Sequence, residues 1–90
     1  GVWEQHGQLT LLNDAYNANP ASMRAALQLL HEVPTDAQRV AVLGSMRELG
    51  AQSAAQHDAV AREALATRAE LIAAVGEFAE AFARVAPQDA

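Results

Sequence analysis

Three short apolar runs, each followed by a polar or glycine-containing turn, constrain this sequence most strongly. They occupy residues 9–13 (LTLLN), 39–44 (RVAVLG) and 71–75 (LIAAV). Runs of this length with few polar interruptions are typical of strands buried on both faces, as in a parallel sheet. The third run is the most ambiguous, because a short apolar segment also fits a buried helix.

Helical patterns separate the three predicted strands. Helices are predicted over residues 20–32, 51–67 and 77–86, and Asn19-Pro20 is a typical helix start. The order β-α-β-α-β-α predicts an α/β fold with right-handed crossovers: a three-layer, Rossmann-like arrangement with a mostly parallel sheet and flanking helices.

Composition excludes several classes of function. The formal net charge of −5 argues against nucleic acid and anionic membrane surfaces as partners, since both require a basic face. All six basic residues are Arg, so the sequence has no lysine for a P-loop or a Schiff base. It also has no Cys, and no apolar run approaches the roughly 20 residues of a membrane span.

The first candidate site is the polar segment after the first strand. Ligands of open α/β sheets bind beyond the carboxyl ends of the strands. Here Asp14, Tyr16, Asn17 and Asn19 precede a helix start, whose free N–H groups suit an anion such as phosphate. The alternative is that these residues are ordinary turn and cap formers.

The second candidate site is the loop after the second strand, which carries Gly44, Ser45, Met46, Glu48 and Gly50. Glycines at both ends allow a sharp turn or a close approach of the backbone to a ligand. The alternative is a plain strand-to-helix connection, and the pair of glycines does not form a P-loop.

Other polar and aromatic residues give weaker signals. His57 is more often a packed or surface histidine than a ligand, and its spacing from the other two histidines indicates no metal site. Trp3 lies outside the periodic pattern and is interpreted as a packing or interdomain contact. Phe78 and Phe82, four residues apart on the last predicted helix, are interpreted as core.

Two segments resemble the signatures of the Mur ligase family. The string NDAYNANPASMRAAL, residues 13–27, is similar to the DxYNANPxSM motif of the Mur ligases that add D-alanyl-D-alanine. The string RVAVLGSMRELG, residues 39–50, is similar to the second signature of the family's C-terminal domain, a strand followed by LGDMxELG. The resemblance covers nearly the whole chain, and the YNANP form separates this branch from its siblings.

The resemblance implies an ATP-dependent amide ligase of peptidoglycan precursor synthesis, acting in the cytoplasm with ATP and Mg²⁺. Its substrates would be UDP-N-acetylmuramoyl-tripeptide and D-alanyl-D-alanine. By the resemblance, Asp14 and Tyr16 bind ATP, and Asn17, Asn19 and Ser22 face the substrate. The C-terminal domain closes over ATP and the dipeptide.

Two departures from the family pattern qualify these expectations. Ser45 replaces the aspartate of LGDM, and the later strands and KGSR-like motif of the family are absent. Residues 1–90 are therefore predicted to be a single partial domain, with no catalytic residue or bound cofactor of its own. Self-association is expected through a sheet edge or through Phe78 and Phe82. The alternative function is a non-catalytic Rossmann-like module that binds a nucleotide or a protein.

Overall fold

The computed structural model describes residues 2–12 and 18–86, which form four strands and three α-helices. In chain order they are β1 (Val2–Gln5), β2 (Gln8–Leu12), α1 (Pro20–Glu32), β3 (Gln38–Leu43), α2 (Ser53–Leu65), β4 (Leu71–Ala74) and α3 (Glu77–Val85). A short 3₁₀ helix, Gly50–Gln52, precedes α2. None of the described helices is long and apolar enough to cross a membrane.

The sheet has the order β1-β2-β3-β4, and its three predicted strands are parallel. Thr10 is the register partner of Val40, and Val40 is in turn the partner of Leu71. The predicted α/β fold with a mostly parallel sheet is therefore confirmed. The third apolar run is a strand rather than a helix.

Strand β1 was not predicted, and it pairs antiparallel with β2. The two-residue turn between them, His6-Gly7, has positive φ at both positions, 55° and 75°. A turn of this kind matches the right-handed twist of a hairpin and favours Gly at its second position. The X-Gly pair between two β-forming segments was the signal for this hairpin.

A buried arginine joins the end of α1 to the sheet. Arg39 is 7% exposed, and its Nε donates to the Leu30 carbonyl at 2.9 Å. Its Nη2 donates to the Val33 carbonyl at 2.6 Å. The last carbonyls of a helix have no partner within the helix, so the guanidinium satisfies them and loses little by its burial.

The apolar core lies between the sheet and the helices. Leu9 and Leu11 of β2 and Ala41 and Leu43 of β3 alternate onto the face that packs against the helices. Successive right-handed crossovers that move in one direction along a sheet place their helices on the same face. The described residues thus build the sheet layer and one helical layer, which agrees with a thickness of 18 Å, and they do not form the third layer that the sequence predicted.

The second face of the sheet carries the other set of alternating side chains. Trp3, Thr10, Leu12, Val42 and Leu71 share this face by register. Three of these side chains are exposed and apolar: Trp3 at 45%, Leu12 at 43% and Leu71 at 54%. Three of the six large apolar side chains that are exposed among the described residues therefore lie opposite the helices, and the other three are Leu29, Leu65 and Val75.

The last helix packs inward through its aromatic side chains. Phe78 is 0% exposed and Phe82 is partly buried against the same core, so their interpretation as core is confirmed. The prediction that truncation leaves Phe78 available for self-association is wrong, because its ring packs against α2 within one chain.

Helix α2 is shorter than predicted at both ends. The 3₁₀ turn, which contains Gly50 at φ 55°, replaces its first residues. At the other end, the Thr67 N–H donates to the Ala64 carbonyl and the Thr67 hydroxyl donates to the same oxygen. These bonds close a tighter turn, so the α-helix ends at Leu65 rather than at Thr67.

Candidate functional site

The three parallel strands end at one edge of the sheet, and the chain leaves each of them there. Leu12 of β2 is the partner of Val42, and Leu43 of β3 is the partner of Ala74 of β4. The loop of residues 44–50 therefore starts beside the end of β2. The predicted residues Asp14, Tyr16 and Asn17 lie outside the described residues, so their placement stays a prediction.

Asn19 and Ser22 form a reciprocal cap at the start of α1. The Asn19 Oδ1 accepts from the Ser22 N–H at 3.0 Å, and the Ser22 Oγ accepts from the Asn19 N–H at 3.0 Å. The Ser22 hydroxyl also donates to the Asn19 carbonyl. These contacts match the capping interpretation of the sequence. A contact of either residue with substrate remains a prediction.

The second predicted loop combines a buried anchor with an exposed, strained tip. Met46 is 2% exposed and belongs to the apolar core, whereas Arg47 and Glu48 are exposed. Glu48 has φ 62°, a left-handed conformation that is costly for a residue with a Cβ. The Met46 side chain is thus a packing group, whereas Arg47 and Glu48 at the tip are exposed to solvent.

A buried histidine holds this loop from α2. His57 is 0% exposed, and its Nε2 accepts from the Met46 N–H at 2.9 Å. Its Nδ1 lies 2.8 Å from the Ser53 carbonyl oxygen, which is only an acceptor. The network therefore places a proton on Nδ1 and leaves Nε2 as the acceptor. Phe78 packs edge-on against the ring, with centroids 4.7 Å apart.

A second contact ties the same loop to the start of α3. The Ser45 Oγ accepts from the Glu77 N–H at 2.9 Å, so a serine from another loop takes the place of a local cap. The Glu77 carboxylate accepts from the Ser53 hydroxyl at 2.6 Å. Sequence reasoning missed this link, because its two ends lie 32 residues apart.

Gly76 permits this close approach. Its φ is 61°, and a Cβ built there would lie 2.3 Å from the Ser45 Oγ. Only glycine fits a position that combines a positive φ with such a contact. The glycine after the third apolar run was visible in the sequence, although its partner was not.

The described part of the edge offers helix starts rather than a metal-binding cluster. Helices α1 and α3 both begin at this edge, where the helix dipole favours an anion, although the Ser22 and Glu77 N–H groups are already bonded to side chains. No group of three or more His, Asp or Glu side chains converges within residues 2–12 and 18–86.

Comparison with known proteins defines the class of this α/β domain. The family described as "Mur ligase, glutamate ligase domain" matches residues 2–89. The chain belongs to this family.

Curated relatives carry a more specific name. The chain is 48% identical over 67 residues to the UDP-N-acetylmuramoyl-tripeptide--D-alanyl-D-alanine ligase of Escherichia coli (strain K12). This match covers 74% of the chain. It is 43% identical over 72 residues to the protein of the same name from Mycobacterium tuberculosis (strain ATCC 25618 / H37Rv), which covers 76% of this chain. The matched region is 14% of each relative's length. No solved structure matches the chain.

Proposed function

We propose that this chain is part of the C-terminal domain of an ATP-dependent ligase that joins D-alanyl-D-alanine to UDP-N-acetylmuramoyl-tripeptide. The enzyme would act in the cytoplasm, in peptidoglycan precursor synthesis. The relatives named for this reaction support the proposal, and so does the YNANP motif at residues 16–20.

The proposed reaction has two steps. A tripeptide carboxylate attacks the γ-phosphorus of ATP, the bond to the β,γ-bridging oxygen breaks, and an acyl phosphate and ADP form. The amino group of the dipeptide then attacks the acyl carbonyl carbon, inorganic phosphate leaves, and the nitrogen loses a proton. Because water would hydrolyse the acyl phosphate, a domain that closes over the site improves the yield of amide.

The arrangement of β2 and β3 in the sheet supports this proposal. The two strands are adjacent and parallel, so β2 and β3 end at the same edge of the sheet. In our proposal Asp14 contacts the ribose of ATP, and Tyr16 contacts the same nucleotide. Asn17, Asn19 and Ser22 face the phosphates and the incoming dipeptide.

The second loop supplies the neighbouring wall of the proposed site. The loop begins at the shared edge, and positive φ at Glu48 (62°) and Gly50 (55°) changes the direction of its backbone. We assign to this loop a role in shaping the site, because the contacts of Ser45 and Met46 are with α3 and α2.

The test uses the full-length protein with ATP, UDP-N-acetylmuramoyl-tripeptide and each of several amino-acid acceptors. We expect ADP release that depends on D-alanyl-D-alanine. The mass of the product should equal that of UDP-N-acetylmuramoyl-tripeptide plus that of the dipeptide, minus one water molecule. Replacing the dipeptide by a single amino acid serves as the matched control. Nucleotide binding without dipeptide-dependent ADP release would favour the non-catalytic module instead.

A further inference from the structure

His57 makes a contact that packing alone does not require. A buried apolar side chain would fill the space beside Phe78, yet this position holds a ring whose two nitrogens are both engaged. The Nδ1 side bonds within α2, to the Ser53 carbonyl. The Nε2 side reaches out of the helix to the backbone of the β3–α2 loop, at the Met46 N–H. The ring therefore couples the helix to the loop.

The loop depends on a small number of long-range anchors. Residues 44–49 form no helix or strand, and Glu48 holds an unfavourable left-handed conformation. A strained tip keeps one position only if its base is fixed by surrounding structure. The Met46 N–H bond to His57 fixes the base from α2, and the Ser45 bond to the Glu77 N–H fixes it from α3.

We propose that His57 is a positioning residue of the ligase, which holds the loop of residues 44–50 at the nucleotide- and dipeptide-facing edge through the Met46 amide. The proposal rests on the function proposed above and assigns a task to one residue. His57 is fully buried, so the proposal assigns it no contact with substrate. Because His57 acts through one backbone hydrogen bond, we expect its substitution to change KM for the substrates rather than the rate of the chemical step.

Substitutions of His57 by side chains of different length distinguish this positioning role from a packing role. In His57→Gln, the carboxamide oxygen reaches about as far as Nε2 and keeps an acceptor for the Met46 N–H. His57→Asn reaches only the Nδ1 side and leaves that N–H without its partner. His57→Phe keeps the ring and its edge contact with Phe78 but also lacks the acceptor. A second acceptor-free variant keeps the test decisive if one of the two does not fold.

Val60→Ala provides the matched control. Val60 is 0% exposed, lies on the same helix and belongs to the same core, but its side chain carries no polar atom for the loop. Deleting its methyl groups lowers stability by making a cavity. A purely structural role for His57 would therefore give Val60→Ala and His57→Asn the same kinetic profile when both are measured as folded protein.

The experiment measures kcat and KM for ATP and for D-alanyl-D-alanine in the full-length protein, with hydrogen exchange of the segment containing Met46 as a second readout. For His57→Asn and His57→Phe we expect a KM increase on the order of ten-fold, the scale of one lost buried hydrogen bond, and faster exchange at the loop. His57→Gln should stay within about three-fold of wild type, and Val60→Ala should keep wild-type KM values.

Three outcomes would overturn the inference. Wild-type KM values in His57→Asn and His57→Phe despite faster loop exchange would show that loop position does not matter. Equal KM changes in Val60→Ala would reduce His57 to a packing group. A wild-type protein with no dipeptide-dependent activity would overturn the proposed function and this role together, and loop exchange would still report whether His57 anchors Met46.

Discussion

The hydroxyl of Ser45 accepts a hydrogen bond at 2.9 Å from the backbone N–H of Glu77, which joins the loop after β3 to the first turn of α3. The position occupied by Ser45 is an aspartate in the motif that the sequence resembles. A carboxylate there would present an acceptor to the same N–H group and would interact favourably with the helix dipole. The bond indicates a capping role for this position, and serine retains that role without the charge.

Ser45→Ala is expected to lower the free energy of unfolding by about 1 kcal/mol, the usual cost of losing a helix cap. Ser45→Asp should lose less, because it keeps an acceptor near the Glu77 N–H. Urea denaturation followed by circular dichroism measures both changes. Equal losses in the two variants would show that the hydroxyl does not act as a cap.

Gly76→Ala is expected to destabilise the fold by on the order of 1–3 kcal/mol or more, because its backbone at φ 61° and ψ −138° suits only glycine and a steric clash adds to the strain. The added Cβ would meet the Ser45 Oγ at 2.3 Å. Gly7→Ala is the matched control, since Gly7 also has a positive φ but has no atom within 4 Å of the added Cβ.

A double-mutant cycle isolates the clash. In a Ser45→Ala background the atom at 2.3 Å is gone and the next one lies at 3.6 Å, an ordinary contact. The cost of Gly76→Ala should therefore be smaller in this background than in the wild-type background. Strict additivity of the two substitutions would contradict the close contact.

The three parallel strands and the helices could be predicted from the sequence, because the spacing of apolar residues along the chain determines them. The run 39–43 is apolar at four of its five positions, and this fits a central strand with neighbours on both sides. The hairpin strand β1 was missed because its four residues alternate weakly. The bonds of His57 to Met46 and of Ser45 to Glu77 were not predictable, since each joins a backbone N–H to a side chain from another element.

In the full-length enzyme, Asp14→Ala is expected to weaken the use of ATP, with a loss of roughly ten- to a hundred-fold in kcat/KM for the nucleotide. Asn17→Ala should act mainly on the dipeptide. Steady-state kinetics with each substrate varied in turn measures both effects. Wild-type constants in both variants would remove these residues from the site.

Asn19 requires a variant that separates capping from substrate contact. Its Oδ1 caps α1, so Asn19→Ala should cost about 1 kcal/mol of stability in addition to harming ligation. Asn19→Ser preserves a capping oxygen but lacks the carboxamide. If the carboxamide contacts the dipeptide, Asn19→Ser should retain the unfolding midpoint yet raise KM for the dipeptide. Normal kinetics in Asn19→Ser would limit Asn19 to its structural role.

The ion pair between Asp58 and Arg84 gives the link between α2 and α3 a pH dependence. The Arg84 Nη2 lies 2.7 Å from the Asp58 Oδ1, and the hydrogen bond from Arg84 holds the pKa of Asp58 below its ordinary value of 3.8. A depressed carboxyl pKa contributes stability above the unfolded pKa, and this contribution is lost as the pH falls through the folded value. Asp58→Asn should therefore lower the melting temperature slightly near neutral pH.

The difference between Asp58→Asn and wild type should disappear in acid, below the folded pKa of Asp58, where wild type also carries an uncharged side chain. The pair is exposed, so salt should reduce the difference at neutral pH as well. A gap that persists in acid would assign the effect to packing rather than to charge.

Self-association of the 90-residue chain is expected through the second face of the sheet and the neighbouring β4 edge. Leu71 is 54% exposed on that face, and its strand, β4, is the last strand in the sheet. An edge strand offers unpaired N–H and C=O groups, and an apolar patch beside it favours a second copy as the partner. Leu71→Glu should therefore convert the chain to a monomer in sedimentation velocity across a dilution series.

Leu29→Glu is the matched control, because Leu29 is 51% exposed but lies on α1. A wild-type chain that stays monomeric at high concentration, or equal effects of the two substitutions, would contradict an interface at this face.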